Sequence, residues 1–114
     1  MAKVLDFNSL QRPTLEIVMP DENKTKIHLV CPTEKLVERL EAGLKELNEV
    51  LEKKDGKAIA ACYALAADLF NCNDDGLLVT ATDLREKYRL GIDALVVFYS
   101  AYLDFIDEIK NAKN

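Results

Sequence analysis

Residues 14–44 read TLEIVMPDENKTKIHLVCPTEKLVERLEAGL, and the spacing of their apolar residues changes part-way along. On either side of PDENK, apolar and polar side chains alternate, which predicts a β-hairpin over residues 14–31. From Thr33, which can cap a helix, apolar residues recur every three or four positions. This second pattern predicts an amphipathic helix that ends near Asp55 and Gly56. Its apolar seam consists of Val37, Leu40, Leu44, Leu47 and Leu51.

The rest of the chain has helical patterns separated by one polar break. Residues 57–71, KAIAACYALAADLFN, predict a nearly all-apolar helix rich in alanine, the strongest helix former. After NCNDDG, Thr80 and Asp83 have the spacing of a capping box, which predicts a short helix over residues 81–88. A long helix is expected from about residue 91 to residue 110.

These elements predict an α+β fold that is mainly α, with an N-terminal β-hairpin followed by a compact bundle of three to four helices. A length of 114 residues suits a single domain over residues 1–114. Within it we expect a leader at 1–13, the hairpin at 14–31, a helical part at 33–110 and a frayed tail at 111–114.

Composition excludes several classes of function. The chain is 49% hydrophobic and 31% charged, with a net charge of −5. Lysine and arginine form no basic stripe, so we expect no nucleic-acid binding. No apolar run approaches the length of a membrane span, and the N-terminus does not resemble a secretory signal. We therefore expect a cytoplasmic protein without a membrane partner, and its three cysteines are expected to be reduced.

Two groups of residues suggest metal sites only superficially. NCNDDG places Asn71, Asn73 and Asp75 like the first ligands of an EF-hand loop, but Thr82 stands where that loop needs a bidentate glutamate. His28 and the cysteines could nominally hold zinc, yet they lack the close pairs of structural zinc sites. No catalytic motif is present. We expect no metal, no cofactor, no catalytic residue and no enzymatic activity.

The last helix has more apolar surface than one packing face needs. On a helical wheel, one broad face holds Ile92, Leu95, Val96, Tyr99, Tyr102, Leu103, Ile106 and Ile109. Beside it lies a second strip, which consists of Val97, Phe98, Ala101 and Phe105. Two interpretations stay open: the helix is packed on two sides, or the second strip is an exposed partner-binding surface for a copy of the chain or a hydrophobic client.

The order of these elements resembles a known family. The segments PTEKLVERLEAGLKEL, NDDGLLVTATDLREKY and LGIDALVVFYSAYLDFIDEI, with the preceding hairpin, are similar to the tail assembly chaperones of long-tailed phages and prophages. Those chaperones are small, acidic and α-helical, with an N-terminal hairpin. The resemblance covers roughly residues 14–110.

The resemblance implies a function and a set of partners. The chain would bind the tape measure protein, a very long, largely helical and apolar chain, and keep it soluble in the host bacterial cytoplasm until tail-tube subunits polymerise around it. We also expect a homo-oligomer. Many family members are made in two lengths by ribosomal frameshifting, so a longer form of the same chain is a further candidate partner. The alternative is a small regulatory or adaptor domain that acts through helix–helix protein contacts.

Overall fold

The computed structural model describes Lys3 and residues 13–53 and 56–111 of the chain. Its elements are β1 Leu15–Val18, β2 Lys26–Leu29, α1 Glu34–Lys53, α2 Gly56–Phe70, a π-helical segment Asp83–Lys87, and α3 Ile92–Asn111. The predicted fold, a hairpin followed by helices, is therefore confirmed. The predictions for the leader and the tail, and the end of the first helix at Asp55, concern positions that lie mostly outside the described residues.

The hairpin forms because its alternating side chains divide between the core and solvent. β1 and β2 pair antiparallel, with Leu15 opposite Leu29 and Ile17 opposite Ile27. The β2 side chains of this pairing are fully buried. In the turn, the Asp21 carboxylate accepts a hydrogen bond from the backbone N–H of Thr25 at 2.8 Å and another from its hydroxyl. These two bonds lower the pKa of Asp21 and fix the turn.

Helix α1 begins as its sequence predicts and packs against both other helices. The Thr33 hydroxyl accepts the backbone N–H of Leu36 at 3.3 Å, which satisfies one free donor of the first turn. Gly43 is buried at the crossing. A Cβ atom there would lie 2.5 Å from Leu65 Cδ2 of α2 and 3.3 Å from the Tyr99 ring of α3. The absence of a side chain at this position lets the three helices approach closely.

The connector between α2 and α3 keeps its predicted cap but closes with a wider turn than expected. Thr80 N–H donates to the Asp83 carboxylate at 3.1 Å, and Asp83 N–H donates to the Thr80 hydroxyl at 3.0 Å. The Tyr88 N–H then reaches back five residues to the Asp83 carbonyl. Arg89 follows in the left-handed region at φ 51°. The predicted helix over 81–88 is thus partly π-helical.

Helix α3 buries a broader face than the helical wheel assigned to it. Phe98 and Phe105 are 7% and 8% exposed, so the structure selects the two-sided packing for these rings and the exposed alternative is wrong for them. The end of α2 and the segment that follows β2 both contact this side of the helix. Phe70 stacks on Phe98 with ring centroids 4.2 Å apart, and the Tyr102 hydroxyl donates to the Val30 carbonyl.

Candidate functional site

An apolar groove lies between the end of β1 and the middle of α3. Its volume is about 190 Å³. One wall is formed by residues 17–20, and the other by Ala94, Val97 and Ala101. The stacked rings of Phe70 and Phe98 form its floor. Because the floor is fixed by packing and the α3 wall includes small alanines, the groove is a preformed apolar concavity.

Two exposed valines stand on opposite walls of the groove. Val18 of β1 is 53% exposed and Val97 of α3 is 68% exposed. In the described part of the chain, the other large apolar side chains with comparable exposure are Leu77 and Leu78, at 39% and 81%, and they lie on the connector. The two valines and the groove between them form one continuous apolar surface.

The structure divides the second strip that the sequence predicted as partner-binding. Val97, Phe98 and Ala101 all line the groove, but only Val97 is well exposed. Phe105 is buried instead against Tyr102, with ring centroids 6.2 Å apart. Partner binding by these four residues stays a prediction. Sequence reasoning missed the wall contributed by β1, although Val18 signals it as an apolar residue at a solvent-facing position of the strand.

The outer backbone edge of β1 borders the same groove. The Met19 N–H donates to the Thr25 carbonyl at 2.8 Å, and bonded pairs alternate from there along the hairpin register. The N–H and C=O groups of Glu16 and Val18 therefore point away from β2. No backbone group among residues 13–53 and 56–111 pairs with them. Among the described residues, β1 is therefore an open edge strand at this point.

Two carboxylates lie on the exposed face of α3 that carries Val97. Asp93 lies four residues before Val97, and Asp104 lies seven residues after it, so all three share one helical face. Both aspartates are exposed. Within the described residues neither has a salt-bridge partner. At 1.5 Å per residue the two positions are about 16 Å apart along the helix, one toward each end of the groove.

The outer edge of β2, by contrast, is closed by the segment after α2. The His28 N–H donates to Asp75 Oδ2 at 2.6 Å, and the Asp74 N–H donates to the His28 carbonyl at 2.9 Å. The His28 ring lies between Asp75 Oδ1 at 3.0 Å and Glu16 Oε1 at 3.4 Å. The bond to Asp75 raises the pKa of His28, and the His28 backbone N–H lowers the pKa of Asp75.

In the loop that resembles part of an EF-hand, the asparagine side chains form hydrogen bonds with the backbone of the same chain. Asn71 bonds both backbone groups of Val79, and Asn73 bonds the backbone of its own turn. In the described part of the chain, no group of three or more His, Cys, Asp or Glu side chains could hold a metal ion. The cysteines are free thiols, and burial raises the pKa of Cys62 and of Cys72.

Two other surface depressions are larger but more charged. One, of about 360 Å³, lies between α1 and α3 and includes Glu34, Glu38 and Lys110 in its lining. The other, of about 530 Å³, lies beside the hairpin turn and mixes acidic side chains with Lys87 and Arg89. Both depressions mix charged side chains with apolar ones, whereas the described lining of the groove between β1 and α3 is uncharged. The apolar groove between β1 and α3 is therefore the candidate site.

Comparisons with protein-family models, curated proteins and solved structures find no match for this chain. Among the described helices, none is both long and apolar enough to cross a membrane.

Proposed function

We propose that this chain is a tail assembly chaperone of a long-tailed phage or prophage, which binds apolar segments of the tape measure protein and keeps that protein soluble during tail assembly. The observation that carries the proposal is the apolar groove between β1 and α3 on a chain of net charge −5. A chaperone for an apolar client needs an apolar contact surface and a charged exterior that prevents co-precipitation. The hairpin-then-helices order that carries the family resemblance supports the same proposal.

The groove suits transient client binding because the residues that stabilise the fold there differ from the residues that are exposed to a client. Phe70 and Phe98 stack on each other and are buried, so the floor stays formed without a ligand. Val18 and Val97 project from the walls and are more than half exposed. A client segment could cover these valines without requiring the domain to unfold. The small apolar area gives each contact a modest affinity, which fits a client that must later be released to the tail tube.

The decisive experiment is co-expression with the tape measure protein that the proposal expects to be encoded beside this chain's gene, with the soluble fraction of that client as the readout. Val97→Asp places a carboxylate in the groove, whereas Leu78→Asp places one at an exposed connector position. We expect the wild type and Leu78→Asp to keep the client soluble and Val97→Asp to lose this effect. Both variants should unfold within about 0.5 kcal/mol of the wild type, because the replaced side chains are exposed.

Two results would contradict the proposal. If the client is equally soluble with and without the chain, the chaperone function is wrong. If the wild type solubilises the client and Val97→Asp does so equally well, the groove is not the binding site. A chain that binds a folded partner but leaves the client insoluble would favour the adaptor alternative.

A further inference from the structure

We infer that the groove takes its client as an extended segment that adds a strand to the open edge of β1, and that this segment carries lysine or arginine on both flanks of a short apolar stretch. The inference rests on the proposed client-binding function and specifies the kind of segment bound. It departs from the helix-in-groove contact that a largely helical client suggests.

The first argument is the position of the groove along β1. Ile17 and Val18 of β1 form one wall together with Met19 and Pro20, which directly follow the strand. Neighbouring residues of a strand point to opposite faces, so a wall of consecutive residues runs along the strand edge and not over one face. The lining in the described structure includes no residue of β2, which places the groove at the outer edge. A strand added there would lie about 4.8 Å from β1, on the side of α3.

The second argument is hydrogen bonding. Glu16 and Val18 each present an outward N–H and C=O that no described backbone group meets. A helix satisfies its own backbone groups and would leave these four groups to water, whereas an extended segment can pair with them. Pro20 has no N–H and ends the usable edge. The α3 wall from Ala94 to Ala101 is about 10 Å long, which matches three residues of an extended chain.

The third argument is charge, and it selects the occupant. Asp93 and Asp104 flank the groove without described ionic partners. Of the nearby cations, Lys26 lies 3.9 Å from Glu16, and Arg89 lines a different depression, which also contains Asp21 and Glu86. A second copy of this chain, at net charge −5, would bring more negative charge to the same edge. Basic flanks on a foreign segment complement it.

The test uses the full chain and a synthetic peptide in which valine and threonine alternate between paired lysines at each end. In an extended peptide, the N–H groups of odd and even positions point to opposite edges. Backbone N-methylation at one set of positions therefore removes the donors of one edge and keeps every side chain. For a given strand direction, only one of these edges faces β1 with the valines in the groove, so the methylated peptide that loses affinity also shows whether the added strand runs parallel or antiparallel to β1. We expect one methylated peptide to bind about tenfold or more weakly than the parent and the other to bind like it.

Variants of the protein test the same hydrogen bonds by changing β1 and not the peptide. Val18→Pro removes the outward N–H of residue 18 without removing a bond to β2, and Val18→Thr keeps that N–H. Val18→Pro should weaken the parent peptide about tenfold, and Val18→Thr less than about twofold. A peptide with glutamates in place of the lysines should bind about tenfold more weakly at low salt, with the difference shrinking as salt rises.

Several outcomes overturn the inference. These are no binding of the lysine-flanked peptide at millimolar concentration, equal affinity of the two methylated peptides, tighter binding of an amphipathic helical peptide, or a dimer of the chain that Val18→Pro dissociates. The methylated peptides use the wild-type chain, so they decide the question even if Val18→Pro fails to fold. If Val97→Asp abolishes client solubilisation while the methylated peptides bind equally, only the strand-addition mode is wrong and the proposed function stands.

Discussion

The two outer edges of the hairpin are completed in different ways. At β2, the segment after α2 bonds both backbone groups of His28, and the Cys72 carbonyl accepts the Val30 N–H at 2.8 Å. At β1, the outward backbone groups of Glu16 and Val18 meet no backbone partner among the described residues, and Val18 lines the groove. An isolated two-stranded hairpin is marginally stable. The closed edge ties the hairpin to the helices, whereas no backbone group of the described residues pairs with the other edge.

The largest expected loss of stability comes from removing a phenylalanine from the floor of the groove that borders the β1 edge. Phe98→Ala should destabilise the fold by about 3–5 kcal/mol, because the ring is buried and stacks on Phe70. Phe105→Ala should cost a similar amount. Val97→Ala, one position from Phe98 but 68% exposed, is the matched control and should change stability by less than about 0.5 kcal/mol. Chemical denaturation of the three variants measures these differences.

Equal stabilities for Phe98→Ala and Val97→Ala would contradict the division of the second strip into floor and wall. They would also restore the alternative in which the phenylalanines are surface anchors. If only the phenylalanine variants lose stability, the phenylalanines belong to the core. Client binding at the groove must then be tested with substitutions at the valines.

The second effect concerns the closed edge. The Asn73 side chain donates to the Phe70 and Leu77 carbonyls and accepts the backbone N–H groups of Asp75 and Leu77, all within 2.8–3.1 Å. These bonds shape the turn that brings Asp75 to His28. Asn73→Ala should therefore cost about 2 kcal/mol, since several partly exposed hydrogen bonds are lost together. Asn48→Ala, at an exposed position of α1, is the control and should cost nothing measurable.

Hydrogen exchange would show whether the closed edge fails locally in Asn73→Ala. The amides of His28 and Val30 should lose protection more than those in the middle of α1. Uniform loss of protection across the domain would mean that the loop supports the whole core and not the hairpin edge in particular.

Local patterns predicted the elements of this fold well. Alternation around PDENK gave the hairpin, Thr33 began α1, and Thr80 with Asp83 formed the reciprocal cap of the connector. Each of these depends on residues close together in sequence, where spacing alone determines which groups can meet. The same holds for the turn at Asp21, whose carboxylate bonds Thr25.

What the sequence could not predict depends on contacts between distant segments. The wheel of α3 cannot reveal that Phe70 stacks on Phe98, so it assigned the phenylalanines to a separate strip. The groove needs residues 17–20 beside α3, and the closed edge needs His28 beside Asp75, 47 positions away. These placements follow from how the hairpin docks on the helices, which no local period encodes.

The smallest effect is a pH dependence of the closed edge. The Asp75 side chain raises the pKa of His28, so this contribution to stability is complete below the unfolded pKa of about 6.5 and is lost as pH rises through the folded value. The pKa of Asp75 is lowered, so its contribution is present above about pH 4 and is lost as pH falls through its folded value. The contact between His28 and Asp75 therefore stabilises the fold most between about pH 4 and 6.5.

Thermal melts near pH 6 and pH 8 measure this window. The wild type should lose about 1–2 °C more than His28→Gln between these two conditions, because the groups are solvent-accessible and salt bridges of this kind are weak. Lys26→Gln, on the same face of the hairpin, should keep the wild-type dependence. If His28→Gln and the wild type change in parallel, the imidazole does not help to close the β2 edge. The backbone bonds of His28 to residues 74 and 75 would then account for the difference between the two edges.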